Sequence, residues 1–319
     1  GYYRLSGYVY PFRKLIRDDE RALVPVEERS EWKYRWDDIM DGVRFSHVLS
    51  MWKFDRQLRS VALDGADLLE TALRAQVAYV LGRRDPFAHM KRVTLDKNAC
   101  AKILRSNNRT RDSFEDWQYQ YGKAKRRARG EDFVRHFEQR YEGSEFPIWI
   151  ACELLEFGHV IQLLRLMLRE DRNAVAREFG FTSGDTLKSV MTSIKGLRNA
   201  SAHFSRIWNS AVASKPPKIH QSALLAGLPG WSGLDRSRIY SVCLLMAYCI
   251  RSVNPWSGWP QRLRQLVLAF PDVPMLSPIG DMGFPEGWRD LSIWKQEARN
   301  ARVTADSCGA ASGAPGWRQ

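Results

Sequence analysis

Residues 48–81 (VLSMWKFDRQLRSVALDGADLLETALRAQVAYVL) decide the fold class of this chain. Their apolar residues recur at spacings of three, four and seven, which places them along one side of an α-helix. Gly82 and Pro86 come next and are suited to end such a helix. The stretch therefore predicts one long amphipathic helix, or two helices in series.

Further helical patterns occur along the chain. Residues 148–168 are apolar around much of the helical circumference, which predicts a buried central helix. Residues 186–208 carry a single apolar stripe, and residues 239–253 form another apolar run. Shorter helices are predicted at 133–141, 171–179 and 262–270. Strand signals are scarce, although residues 2–12 alternate weakly and favour an extended segment. The pattern predicts an all-α fold, with several helices packed as a bundle.

The chain has 319 residues, enough for one large domain or two ordinary ones. We predict a helical domain over residues 1–235 and a C-terminal helical extension with irregular parts over residues 236–305. Residues 306–319 are rich in Gly, Ala and Ser, which is typical of a disordered tail. Residues 105–130 are polar and basic, which favours an insertion or loop.

The formal net charge is +13, and this favours an acidic partner, with nucleic acid ahead of a membrane surface. One basic run comprises Lys123, Lys125, Arg126, Arg127 and Arg129. Trp117, Tyr119 and Tyr121 lie just upstream, and aromatic rings can stack on bases while cations track phosphates. The run is therefore either an RNA-contacting loop or a solvated group of charges.

The remaining composition excludes several classes of protein. No apolar run approaches the roughly 20 residues that span a bilayer, so we expect no membrane partner. The five cysteines are irregularly spaced and include no CxxC pair, which favours neither a zinc site nor a disulfide framework. Free cysteines suit a reducing cytoplasm. No phosphate loop or dinucleotide fingerprint is present, and we expect no cofactor and no metal.

Residues 197–209 (LRNASAHFSRIWN) contain the candidate chemistry. In a continued helix, Asn199, His203 and Arg206 are spaced by four and three residues and share one face. Arg198 is adjacent and has a long side chain, and we predict that Arg206 contacts RNA. Polar groups thus converge beside an apolar stripe on one rigid element, as a preorganised site requires.

These residue types are suited to cutting RNA without a metal. The 2′-hydroxyl can attack the adjacent phosphorus when one group removes its proton and another protonates the leaving oxygen. Histidine can serve in either role near neutral pH. A guanidinium such as Arg198 can stabilise the extra negative charge of the transition state, and Asn199 can orient the histidine or donate to the phosphate.

Spacing alone is a weak signal for this chemistry. Arginine also precedes histidine at similar distances in Arg84…His89 and Arg129…His136. The alternative for Arg198 and His203 is a salt link at a helix end beside a histidine with ordinary hydrogen bonds.

Four blocks in order resemble one protein family. They are residues 1–12 (GYYRLSGYVYPF), residues 54–59 (FDRQLR) with Glu70 and Arg74, residues 141–158 (YEGSEFPIWIACELLEFG), and residues 197–209. Together they are similar to the Abi-like (AbiD/AbiF-type) abortive-infection family of bacteria, within the HEPN superfamily. The resemblance covers roughly residues 1–215.

The resemblance implies a HEPN-type helical bundle and a metal-independent endoribonuclease of anti-phage defence. It implies a composite site at a homodimer interface, to which Arg198, Asn199 and His203 correspond one for one. Phe204 departs from the pattern, since a second histidine often comes after the first. The resemblance also implies an N-terminal segment before residue 1, and some relatives are associated with a structured noncoding RNA.

Two rival functions remain at this point. One is a non-catalytic module that binds a structured noncoding RNA, and the other is a nucleotide-modifying toxin. The role of Glu70 has two interpretations as well. The default is a structural salt bridge with Arg74, and the alternative is a contact with Arg198.

Overall fold

The computed structural model describes residues 2–25, 34–106 and 109–295, most of which are helical. The helices are α1 (Tyr2–Val9), α2 (Phe45–Arg84), α3 (Lys97–Cys100), α4 (Ser113–Arg127), α5 (Asp132–Arg140), α6 (Ile148–Ala151), α7 (Phe157–Leu166), α8 (Arg169–Glu178), α9 (Gly184–Ala202), α10 (Ile239–Val253), α11 (Trp259–Leu268) and α12 (Pro278–Met282). Two short antiparallel pairs join β1 (Arg13–Leu15) to β2 (Arg35–Ile39) and β3 (Ile103–Ser106) to β4 (Arg109–Asp112). The predicted all-α class is confirmed.

Helix α2 is the central element, 40 residues long and continuous. One side of the helix is buried in the core, and Leu68 of the predicted stripe is exposed; the buried apolar residues include Val48, Met51, Phe54, Leu58, Leu69, Leu73, Val77 and Leu81. Each fully buried leucine contributes roughly 1.5–3 kcal/mol relative to an exposed one. The helix ends at Arg84 because Asp85 is extended, the conformation favoured before a proline.

Helix α9 packs antiparallel against α2. At its start, the Gly184 N–H donates to Asn173 on α8, and α8 is joined to the end of α2 by an ion pair between Asp171 and Arg84. Just beyond its other end, the Ile207 N–H donates to Asp55 near the beginning of α2. This arrangement brings the residues after α9 against the first half of α2.

The C-terminal part of the described chain belongs to the same core. Helix α10 is buried from Ile239 to Ile250, as expected for a helix apolar on every side, and it packs against both α2 and α9. Helix α11 contributes Trp259, whose indole Nε1 donates to the Val61 carbonyl at 2.8 Å. A Cβ at Gly65 would lie 2.4 Å from the Trp259 ring, so this close approach requires glycine.

Residues 148–168 do not form one helix, contrary to our prediction. The chain forms α6, a 3-10 turn at Cys152–Leu154 and then α7. Between them Leu155 is extended, and its carbonyl oxygen accepts a hydrogen bond from Arg74 on α2 at 2.6 Å. The apolar periodicity of residues 148–168 is helical throughout. The helix breaks nonetheless, because the Leu155 carbonyl accepts its hydrogen bond from the distant Arg74 and not from the next helical turn.

The expectation of an extended segment at residues 2–12 is also wrong. Helix α1 is followed by a 3-10 turn at Tyr10–Phe12, and Phe12 is buried in the main core.

The expectation of a loop at residues 105–130 is wrong as well, because β4 and α4 lie in this range. Trp117 and Tyr121 are buried, and Asp116 accepts a hydrogen bond from Gln162 on α7. The apolar positions of α4 are few, which explains why composition alone suggested a loop. The boundary near residue 235 stays a prediction, and the tail at 306–319 lies outside the described residues.

Candidate functional site

The polar segment predicted as the site lies at the C-terminal end of α9. His203 is the residue that caps the helix, and Phe204 comes next with a left-handed φ of +59°. The Phe204 N–H donates to the Ser201 carbonyl, and the Ser205 N–H donates to the Ala200 carbonyl at 2.9 Å. This is a Schellman motif, which reverses the chain direction and leaves His203, Phe204 and Ser205 exposed.

Because α9 ends at Ala202, Asn199, His203 and Arg206 do not share one helical face as we predicted. Arg206 lies beyond the reversal, and its guanidinium donates to the Gly7 carbonyl in α1. Burial lowers its pKa, and it is held against α1 rather than extended into solvent.

Arg198 lies at the edge between the core and the surface, while Asn199 is exposed. The Arg198 Nη1 donates to the Asn199 Oδ1 at 3.3 Å, so the two side chains are oriented together. Glu70 on α2 is the neighbouring anion: burial raises its pKa, and the charges of Arg74 and Arg198 act in the opposite direction. Glu70 forms the default salt bridge, with Arg74 at 2.5 Å, whereas Arg198 acts on it only through its charge, which lowers the Glu70 pKa.

His203 is exposed and lines a cavity of about 700 Å³ between the end of α9 and α2. The walls combine aromatic and cationic side chains: Tyr8, Trp52, Arg56, Arg59, Phe204 and Arg206. An exposed imidazole in a cation-lined cavity can exchange protons with solvent or with a bound anion.

Asp55 is the buried group that fixes this region. Its Oδ1 accepts the N–H groups of Ile207 and Trp208 at 3.1 and 2.9 Å. Its Oδ2 accepts the Tyr8 hydroxyl at 2.5 Å and the Arg59 guanidinium. Burial raises the pKa of Asp55, an effect that these four donors oppose. One carboxylate therefore joins α1, α2 and the segment after α9.

A family model named Abi-like protein matches residues 1–209 of the chain. The chain belongs to the Abi-like protein family. The match ends one residue after Trp208, so it includes the whole Asp55 network and the segment 197–209. No curated protein and no solved structure matches the chain.

Membership confirms the resemblance to the Abi-like family and supports a role in abortive infection at the level of the family, while the assignment to the HEPN superfamily stays a prediction. In the part of the Abi-like chain that the structure describes, no helix is long and apolar enough to cross a membrane. Nor do three His, Cys, Asp or Glu side chains group there as metal ligands.

The five basic residues of the predicted RNA-contacting run lie at the end of α4 and the turn after it. Lys125 pairs with Glu145 at 2.7 Å, and Arg127 pairs with Glu156 at 2.6 Å. Lys123, Arg126 and Arg129 are exposed. The run is thus partly neutralised, with three cations directed outward.

The aromatic residues beside this run differ from one another. Trp117 and Tyr121 are buried and cannot stack on bases. Tyr119 is partly exposed, and the Arg111 guanidinium lies 3.9 Å from its ring centroid. The charge of Glu156, the partner of Arg127, also raises the pKa of Glu70.

Sequence reasoning did not identify two features of the Abi-like site. The first is Asp55, which lies within the second family block but was not predicted to have a role. A signal for it existed, because a carboxylate on the apolar side of a helix, four residues before Arg59, indicates a buried ion pair. The left-handed Phe204 gave no signal, because phenylalanine is rare at that position of a helix end.

Proposed function

We propose that this Abi-like protein is a metal-independent endoribonuclease of HEPN type that acts in bacterial abortive infection. The observation that carries the proposal is the exposed His203 in a cation-lined cavity, five residues after Arg198, which is hydrogen-bonded to Asn199. RNA is the substrate because the reaction needs the 2′-hydroxyl. The net charge of +13 suits a polyanion.

In this mechanism His203 is the acid-base group. It removes the proton of the 2′-hydroxyl or protonates the leaving 5′-oxygen, and general catalysis of this kind contributes typically about 10²–10⁴-fold. Arg198 stabilises the added negative charge on the phosphate oxygens, and Asn199 orients Arg198 through their hydrogen bond. The products are a 2′,3′-cyclic phosphate and a 5′-hydroxyl.

A homodimer completes the proposed site. The reaction needs one group to remove a proton and another to donate one, and His203 is the one histidine among the described residues that line this cavity. A second copy would supply the same groups from the opposite side, with the cavities facing each other. The proposed location is the bacterial cytoplasm, where RNA is present and where the buried free thiols of Cys100, Cys152, Cys243 and Cys249 remain reduced.

The test is cleavage of RNA by purified protein in EDTA, with analysis of the product ends. His203→Ala should lose the activity by about 10²–10⁴-fold while keeping its thermal midpoint. His136→Ala, at an exposed histidine on α5, is the matched control and should cleave normally. A requirement for Mg²⁺, or products with 5′-phosphate ends, would refute the mechanism.

The second candidate is a non-catalytic module that holds a structured noncoding RNA. The exposed Lys123, Arg126 and Arg129 at the end of α4 favour it, since phosphate contacts need no catalytic group. Tight, salt-sensitive RNA binding that His203→Ala leaves intact, without cleavage products, would support this function instead.

A further inference from the structure

Two large aromatic side chains are exposed around a second cavity, which lies between α2 and the chain that begins with α6. Tyr79 on α2 is 61% exposed and Trp149 on α6 is 52% exposed, and both line this cavity of about 530 Å³. The Arg83 guanidinium lies 5.7 Å from the Tyr79 ring centroid. Single aromatic residues on a surface are ordinary, but two that line one concave site are typical of a binding site.

The position of Trp149 is fixed by its neighbours. The Ile148 N–H donates to the Pro86 carbonyl just beyond α2 at 2.8 Å, and the Ile148 side chain is fully buried. Gly82 lets α6 approach α2, since a Cβ there would lie 3.3 Å from Ile148 and 3.6 Å from Trp149. The exposed indole is therefore held at the cavity, and binding a ligand there needs little further ordering.

The charged residues of this cavity suit an anionic ligand. Two arginines and one glutamate line it: Arg74, Arg83 and Glu153. Arg74 is held by hydrogen bonds to Glu70 and to the Leu155 carbonyl, whereas Arg83 is exposed and can bind a phosphate. Aromatic rings beside arginine match the chemistry of a nucleotide, because bases stack on the rings while the cation binds the phosphate.

The second cavity and the cavity that contains His203 lie along the same side of α2. Leu63 lines the His203 cavity and Arg74 lines the second one. Their separation of eleven residues is about three helical turns, which places both on one side of α2, about 16 Å apart along its axis. Glu70, the neighbouring anion of Arg198, lies between them. At roughly 3.4 Å for each stacked nucleotide, a few nucleotides of one strand can span this distance.

We propose that the cavity between α2 and α6 binds one unpaired base of the RNA, stacked on Trp149, with Arg83 on the adjoining phosphate. The inference rests on the proposed function for its ligand, and it adds a contact several nucleotides away from the bond that is cut. Bases within a duplex are stacked on each other, so the cavity selects single-stranded RNA.

The experiment measures binding of a short fluorescent single-stranded RNA with 2′-O-methyl riboses, which the proposed reaction cannot cleave. Trp149→Ala should weaken binding by about 5–100-fold, and Trp149→Phe, which keeps a ring, should retain most of it. Trp256→Ala is the matched control, because Trp256 is 73% exposed and lines neither cavity. It should bind the RNA like wild type.

An abasic strand of the same length separates stacking from charge, since it keeps the phosphates and lacks the bases. It should bind wild type and Trp149→Ala equally, because both changes remove the same contact. Arg83→Ala changes an exposed side chain and should weaken binding of the intact strand a fewfold, with a lower salt dependence. Thermal unfolding checks that the variants fold, and Trp149→Ala should change the midpoint little because the ring is half-exposed.

Equal binding by Trp149→Ala and Trp256→Ala would overturn the proposal. So would dissociation of a dimer by Trp149→Ala in light scattering, since the ring would then contact a second copy. Binding of adenosine monophosphate at this cavity, without any effect of Trp149→Ala on RNA binding, would also overturn it in favour of a mononucleotide.

Cleavage of unmodified RNA is measured separately, so that the two proposals can fail independently. Cleavage by wild type together with unchanged RNA binding by Trp149→Ala refutes the base-binding cavity alone. Weakened binding by Trp149→Ala, without any cleavage by wild type, refutes the nuclease alone.

Discussion

The chain contains two Arg–His pairs with the same five-residue spacing, and the fold gives them opposite surroundings. Arg84 ends α2 and forms an ion pair with Asp171 at 3.0 Å, while His89 is fully buried. Arg198 lies in the last turns of α9, and His203 caps that helix and lines an open cavity. Identical spacing therefore produces a packing element in one place and a candidate site in the other.

The difference arises from the path of the chain after each arginine. After Arg84 the chain turns inward, and burial lowers the pKa of His89 to about 4, so this imidazole is neutral at pH 7. Neither ring nitrogen of His89 has a hydrogen-bond partner among the described residues. After Arg198 the helix ends at Ala202 with His203 as its cap, and the Schellman reversal keeps that imidazole exposed. Exposure, and not spacing, separates the two histidines.

The largest expected effect comes from removing Asp55, the carboxylate that anchors the segment after the second pair. Asp55→Ala leaves two backbone N–H groups, the Tyr8 hydroxyl and the buried Arg59 charge without their acceptor. The free energy of unfolding should fall by about 3–5 kcal/mol. Chemical denaturation measures it. Asp64→Ala removes an exposed carboxylate paired with Arg262 and should cost less than about 1 kcal/mol. Equal losses in the two variants would contradict the role of Asp55.

The next effect concerns His89 and pH. Its pKa in the folded state, about 4, lies below the value of about 6.5 in the unfolded state. The stability it contributes is therefore present above pH 6.5 and is lost as the pH falls towards 4, by about 3 kcal/mol in all. His89→Phe, which cannot be protonated, should flatten this part of the profile in denaturation at successive pH values. An unchanged profile would show that His89 protonates freely in the fold.

Removing the arginine of each pair in turn should have a somewhat smaller effect. Arg198→Ala should lower the rate of RNA cleavage by about 100-fold with little change in thermal midpoint, since it removes charge stabilisation in the transition state. Arg84→Ala should leave cleavage unchanged and lower the thermal midpoint, because Asp171 loses its partner. Single-turnover cleavage and thermal unfolding of both variants test this. Similar cleavage by the two variants would remove the distinction between the pairs.

The smallest effect is expected at the basic end of α4. Arg126→Ala removes an exposed cation and should weaken RNA binding a fewfold while lowering the salt dependence by about one unit. Lys125→Ala is the control, because its ammonium is already paired with Glu145 and should change the salt dependence less. Binding measured over a series of salt concentrations distinguishes them. A larger effect of Lys125→Ala would mean that RNA displaces Glu145.

Much of the fold was predictable because helical periodicity is a local property. The bounds predicted for α10 are those observed, and the long run at 48–81 lies within α2. The helix breaks were not predictable in this way. The bend at Leu155 depends on Arg74, 81 residues away, and the early end of α9 depends on a left-handed Phe204 that propensity disfavours.

The candidate site shows the same division. Arg198, Asn199 and His203 were identified from sequence, because their side-chain chemistry and the family blocks are local signals. Two contacts were not identified from the sequence: the hydrogen bond from Arg206 to the Gly7 carbonyl in α1, and the hydrogen bond from the Ile207 N–H to Asp55 in α2. Both partners lie far away along the chain. The predicted face of Asn199, His203 and Arg206 failed for this reason.

By itself the sequence determined that the chain is helical and basic, that it belongs to the Abi-like family, and which side chains can carry acid-base chemistry. The tertiary structure decided which histidine faces solvent and which arginine is held in an ion pair. Burial and hydrogen-bond partners set the charge state of such groups, and here they come from residues as far apart as Asp55 and Trp208, which are 153 positions apart along the chain. Local pattern carries no information about contacts at that distance.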